Sequence, residues 1–103
     1  MDISYEEKGK KVIKLAEHYG LYHQLIKAIE EHSELIQVLA KYWQQRLTKK
    51  ADEKYKKLII GECADCWITI AQVIYLLDIK AEDIEAAVKF KLDRQLERIA
   101  NNE

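Results

Sequence analysis

Residues 58–77 read LIIGECADCWITIAQVIYLL, and the only charged side chains in that stretch are Glu62 and Asp65. Wound as a helix at about 100° per residue, Glu62, Asp65, Thr69 and Gln72 fall within a sector of roughly 80°. Everything outside that sector is Ile, Leu, Val, Ala, Cys, Trp, Tyr or Gly61. A helix apolar around most of its circumference is an interior helix, and a carboxylate carried into an interior needs a compensating charge. Two acids at i and i+3 therefore ask for a bound metal, basic side chains, or both.

Composition sets the frame around this helix. Hydrophobic residues make up 49% of the 103 residues, Pro is absent and Gly occurs three times, so little punctuation is available for the turns of a sheet protein. The expected class is all-α: one domain over residues 1–103, large enough for a modest core. A net charge of −1 gives no support for a nucleic-acid partner. Although residues 58–77 are long enough to raise a transmembrane reading, their two acids, Gln72 and charged flanks argue against insertion. The N-terminus MDISYEEKGKK lacks the apolar stretch of a signal peptide, and two cysteines are too few for a secreted disulfide scaffold. The reading is a cytoplasmic protein with no membrane partner.

Working outward, the third helix spans about 53–77, with Asp52 as its N-cap. Before it, a second helix is expected from Leu21 to Leu47, with a core face of Leu21, Leu25, Ile29, Ile36, Leu39 and Trp43. Gln24, Glu31, Glu34 and Val38 form a stripe beside that face. A first helix starts at the capping-box pair Ser4 and Glu7 and ends near Tyr19, with Gly20 as a left-handed cap. After the turn Asp78-Ile79-Lys80, a fourth helix covers Ala81–Ala100. Its apolar stripe is Ile84, Val88, Leu92, Leu96 and Ile99, and Lys91, Arg94 and Arg98 share another face. Four helices with short connections predict a four-helix bundle-like protomer. The third helix is apolar on more sides than three neighbours cover, so oligomerisation through the Trp67, Ile70, Ile74 side is expected to complete the fold.

Two constellations can carry chemistry. Glu31-x-x-Glu34 and Glu62-x-x-Asp65 each place two carboxylates on one helical face; side by side, the four form an oxygen-only donor set suited to Mg²⁺ or Mn²⁺. An ExxE alone is an ordinary solvated face, and the pair in the apolar third helix tips the balance. Lys91 and Arg94 can bind phosphate oxygens, Arg through its planar fork. As a stripe near a helix C-terminus they are unremarkable, but beside an acidic metal site they match a polyphosphate.

With these residues in view, the succession IEEHSELIQVLAKYW (29–43), GECADCWITIAQV (61–73) and EAAVKFKLDRQLERI (85–99) resembles the MazG-like all-α nucleoside triphosphate pyrophosphohydrolases, and most closely their short single-domain phage and bacterial members. Glu31, Glu34, Glu62 and Asp65 match the family's ExxE and ExxD acids, and Lys91 its downstream lysine. The resemblance implies Mg²⁺-dependent hydrolysis of a nucleoside triphosphate to the monophosphate and pyrophosphate, by a homodimer or homotetramer. Glu34 or Glu62 would act as the base, Lys91 and Arg94 would hold the phosphates, and Gln24 and Gln72 would line the nucleotide pocket. Two departures are visible. Lys89 stands where longer members carry Asn, and Asp78-Ile79-Lys80 replaces a Gly-Ile-Asp/Ser turn, leaving the fourth helix a poor N-cap. The other reading is a non-catalytic helical module that binds nucleotide or dimerises. A di-metal redox bundle would need Glu-x-x-His pairs, and none occur.

The remaining polar and aromatic residues read as packing. Cys63 and Cys66 are expected on the apolar side as small buried hydrophobes, away from the acids. His32 is expected near the core face of the second helix. Trp43 is a core or interface residue first and the better of the two tryptophans for stacking on a base. Gly61, adjoining the acids, suggests close approach of a neighbouring backbone or ligand.

Overall fold

The computed structural model describes residues 5–102, apart from the side chains at positions 5, 49 and 51. Four helices follow one another: α1 (Tyr5–Tyr19), α2 (Leu21–Gln45), α3 (Lys49–Leu76) and α4 (Ala81–Ala100). The all-α, four-helix reading holds. Ser4, half of the expected capping box, lies outside the described residues.

The break between α1 and α2 rests on Gly20, whose φ of 83° and ψ of 170° lie in a region that is essentially open to glycine alone. Its N–H still donates to Ala16 O (2.8 Å), and its carbonyl accepts from Gln24 N–H (3.1 Å), so the chain turns without losing backbone hydrogen bonds. α2 ends at Gln45, two residues before the expected Leu47. α3 begins at Lys49, four residues before the expected start at position 53, so Asp52 is no N-cap. Instead the Asp52 carboxylate accepts the Tyr42 hydroxyl (2.6 Å) and pairs with Lys56 (3.1 Å), clamping the ends of α2 and α3 beside their turn. Tyr42 and Lys56 hold that carboxyl below its ordinary range.

α3 closes through hydrogen bonds from Ile79 N–H to Ile74 O (3.0 Å) and from Asp78 N–H to Tyr75 O (3.1 Å). Those are the two bonds of a Schellman motif, and Asp78 fills its left-handed position at φ 55°, where glycine is the usual occupant. As expected, the N-cap of α4 is poor: Lys80 makes no side-chain capping bond.

α2 and α3 pack along rows with alternating spacings of three and four. Leu21, Gln24, Ala28, Glu31, Leu35, Val38 and Tyr42 on α2 are buried or half-buried, as are Tyr55, Ile59, Glu62, Cys66, Thr69, Val73 and Leu76 on α3. This is the row pattern of antiparallel coiled-coil packing, with the Tyr42–Asp52 pair at one end and the Gln24–Gln72 pair at the other. The expected α2 core face is thus displaced by one residue. Leu21 and Leu25 are half-buried, whereas Ile29, Ile36, Leu39 and Trp43 are exposed, Ile29 at 69%. α2 carries two adjacent apolar stripes, and the more hydrophobic one is not the one covered by α3. α1 lies on α3, with Ala16 fully buried and the Tyr75 hydroxyl donating to Glu17 (2.9 Å).

α4 is different. It makes no helix–helix contact with α1, α2 or α3, and it contains no buried residue. The radius of gyration is 17.1 Å, against about 13 Å for a compact chain of this length. Residues 52–76 of α3 are long and apolar enough to cross a membrane by length and composition, and α1 and α2 pack along that helix. Gly61 faces open space: among the described residues no neighbouring backbone comes within 4 Å of where a Cβ would stand.

Candidate functional site

Antiparallel packing of α2 on α3 brings Glu31 level with Glu62 and Asp65. Each of the three can offer a carboxylate oxygen so that all three atoms lie within 4.8 Å of one another. Glu31 is 9% exposed, Glu62 half-buried and Asp65 open to solvent. Glu31 Oε2 and Glu62 Oε2 are buried without a hydrogen-bond partner. Carboxylates at such separations repel, and each orphaned oxygen has given up water without a replacement, a cost of about 1–3 kcal/mol or more for a charged group. A hard divalent cation would answer both deficits, and three carboxylates with solvent access are a donor set that fits Mg²⁺ or Mn²⁺.

Glu34 does not join them. One turn beyond Glu31, it is exposed and outside the group of three. The seam accepts residues spaced alternately by three and four, and its next member after Glu31 is Leu35. Lys91 and Arg94 lie exposed on α4, which contacts neither α2 nor α3, so one chain does not bring them to the acids. Arg94 instead lies over the Phe90 ring, 5.8 Å from its centroid.

Glu31 and Asp65 border a cleft of about 490 Å³, whose lining also includes Lys27, Gln24, Gln72, Thr69, Tyr19 and His23. Gln24 and Gln72, 4% and 2% exposed, line this cleft and are also bonded to each other. The direction of their chain of bonds is fixed at one end. The Val12 carbonyl can only accept, so Gln72 turns its Nε2 toward it (3.4 Å) and its Oε1 toward Gln24 Nε2. Gln24 Oε1 is left to accept from His23 Nδ1 (2.6 Å), which makes Nδ1 the protonated nitrogen of that ring. His23 stacks on Tyr19, with ring centroids 4.6 Å apart and 15° between planes. The cleft thus has a polar floor anchored on three helices and an aromatic wall.

Compared with family models, curated proteins and solved structures, the chain finds no match. Its site is therefore read from its own geometry.

Two cleft residues escaped the sequence reading. Lys27 pairs with Glu31 (3.4 Å) and Glu30 (3.7 Å), and the hydrogen bond and charge of Glu31 raise its pKa above the ordinary lysine value. Its signal was present as the i, i+4 pair Lys27–Glu31. Tyr19, in the sequence only the end of the first helix, is exposed and borders the cleft.

Other expectations shift. Cys66 is buried in the α2–α3 seam beside the acids, not away from them, while Cys63 is exposed. Burial pushes the Cys66 thiol up, and Cys63, Glu31, Glu62 and Asp65 push it the same way. A residue following Glu62 by four positions stays on its packing row, so Cys66 shares the acids' helix face. His32 is half-buried, and its Nδ1 donates to Ala28 O (2.7 Å), as expected of a packed histidine. Trp43 is exposed, lies outside the cleft lining and carries the Arg46 guanidinium 3.6 Å from its ring centroid.

Proposed function

We propose that the chain is a Mg²⁺-dependent nucleoside triphosphate pyrophosphohydrolase of the MazG-like all-α type, with Mn²⁺ as an alternative metal. In this reading it works in the cytoplasm as a homodimer or homotetramer. One observation carries the proposal: Glu31, Glu62 and Asp65 converge from two helices, two of their oxygens buried without partners, beside a cleft lined by polar and apolar groups together. Like charges gathered in this way favour a site whose normal occupant is a cation.

Glu31, Glu62 and Asp65 would hold the cation in this reading, Glu31 and Asp65 at the border of the cleft. Mg²⁺, when bound, supplies neutralisation of the triphosphate and polarisation at the α-phosphorus. Glu62 accepts the proton of the attacking water; the water oxygen bonds to the α-phosphorus, the bond to the bridging oxygen of the β-phosphate breaks, and pyrophosphate leaves. Of the two acids considered for the base, burial favours Glu62 over the exposed Glu34. Gln24 and Gln72 present amide N–H groups to the nucleotide from a framework anchored by Val12 and His23. Lys91 and Arg94 reach the phosphates from the α4 of a second copy, since among the described residues no helix packs on α4. The exposed stripes of α2 and α3, with Ile29, Ile36, Trp43 and Trp67, support the same assembly.

Product analysis tests the proposal. Incubated with Mg²⁺ and a panel of ordinary and modified ribo- and deoxyribonucleoside triphosphates, the protein is expected to release pyrophosphate and monophosphate in equal amounts. Orthophosphate as the product, or no turnover of any nucleotide, would point instead to a different hydrolase or to a non-catalytic nucleotide-binding or dimerising module.

A further inference from the structure

The cleft has its own cation. Among the side chains lining it, Lys27 is the one that is cationic at every physiological pH, because Lys91 and Arg94 stand on α4 away from it. Its ammonium is held loosely: 3.4 Å from Glu31 Oε1 and 3.7 Å from Glu30 Oε2, beyond the 2.7–2.9 Å of a tight charge-assisted bond. The side chain is half-exposed, and its flexible stem lets the ammonium move without disturbing the seam.

Glu31 is the shared group. One of its oxygens faces Lys27, while the other is buried without a partner beside Glu62 and Asp65. A divalent cation on the trio and an ammonium on the same carboxylate are like charges a few ångströms apart, and they repel. Each weakens the other's hold on Glu31. A triphosphate in the cleft reverses this relation, because its oxygens can take the ammonium and the metal together.

Resting on the function proposed above, we infer that Lys27 is a phosphate-binding residue that Glu31 holds in place of metal, and that metal binding releases it to the triphosphate. Lys27 then opposes metal binding when the cleft is empty and supports nucleotide binding when metal is present. A side chain with a merely structural role would move both affinities the same way.

The test measures the two affinities separately, in wild type, Lys27→Met and Lys27→Arg. Mn²⁺ alone is titrated first, followed by calorimetry with a nucleoside triphosphate whose α,β bridge resists hydrolysis, in saturating Mn²⁺. Lys27→Met is expected to bind Mn²⁺ about 3- to 10-fold more tightly than wild type and the analogue about 10-fold more weakly, with Lys27→Arg restoring most of the analogue binding. Mn²⁺ affinity that is unchanged or lower in Lys27→Met, or analogue affinity that is unchanged, would overturn the inference. A wild type that binds Mn²⁺ and cleaves nucleotides while Lys27→Met behaves identically overturns the role of Lys27 alone. A wild type that binds neither Mn²⁺ nor the analogue overturns the proposed function with it.

Discussion

The α2–α3 seam and α4 make opposite use of their side chains. The seam buries Gln24, Glu31, Thr69 and Gln72 among small residues such as Ala28 and Cys66, while α4 buries nothing and leaves Val88, Leu92, Leu96 and Ile99 exposed. A packed interior this polar is expensive unless each group finds a partner, and the seam meets that condition at the glutamines but not at Glu31 and Glu62. An exposed apolar helix costs little by itself but invites a partner. Under the proposed function the difference separates two tasks: the seam would hold the site, and α4 would offer an attachment surface.

That separation can be broken by substitution, beginning with the largest effect. Glu62→Gln keeps the shape of the seam and removes one of three converging charges; turnover is expected to fall at least about 100-fold, since loss of a metal ligand exceeds the 10- to 100-fold cost of disturbing its supports. The melting temperature should hold or rise, because repulsion within the trio is relieved. Steady-state kinetics with a thermal melt checks both, and a melt that falls with the activity would make Glu62 a structural residue.

Gln72→Ala comes next. It strips partners from the Val12 carbonyl and from Gln24 and opens a cavity in the seam, an expected cost of about 2–4 kcal/mol. Denaturant unfolding reads this out, and a change below about 0.5 kcal/mol would mean that the glutamine pair is not part of the folded core.

On α4 the proposed role is assembly, so Leu96→Glu should leave helicity intact and convert the assembled species to monomer in size exclusion with light scattering. A wild type already monomeric at tens of micromolar would contradict the attachment role. The smallest effect is expected at the turn between the two regions. Asp78→Gly relieves a left-handed residue and should stabilise the fold by about 0.5–1 kcal/mol in the same unfolding assay.

Much of this architecture was legible in the sequence. The boundary at Gly20 followed from helix punctuation, as did the extent of α4, and the polar sector of α3 pointed directly to Glu62 and Asp65. The α2 face was misread because two apolar stripes run one residue apart, and hydropathy favours Ile29, Ile36 and Trp43 over Ala28, Leu35 and Val38. A hydrophobic pattern does not say which of two adjacent faces a neighbouring helix covers. The same gap explains α4, whose stripe was clear while its lack of a neighbour within the chain was not. Glu34 was matched by motif spacing, yet the seam continues through Leu35 and leaves it outside. Lys27 was overlooked because an i, i+4 pair with Glu31 is among the commonest features of a helix surface, and only the cleft gives it meaning.

Direct titration of Mn²⁺ into wild-type protein and Glu62→Gln, followed by electron paramagnetic resonance, tests the central claim that the three carboxylates form a cation site. Wild type is expected to bind Mn²⁺ saturably, with affinity at least about 10-fold higher than that of Glu62→Gln. Equal affinity in the two proteins, or no saturable binding in wild type, would contradict it.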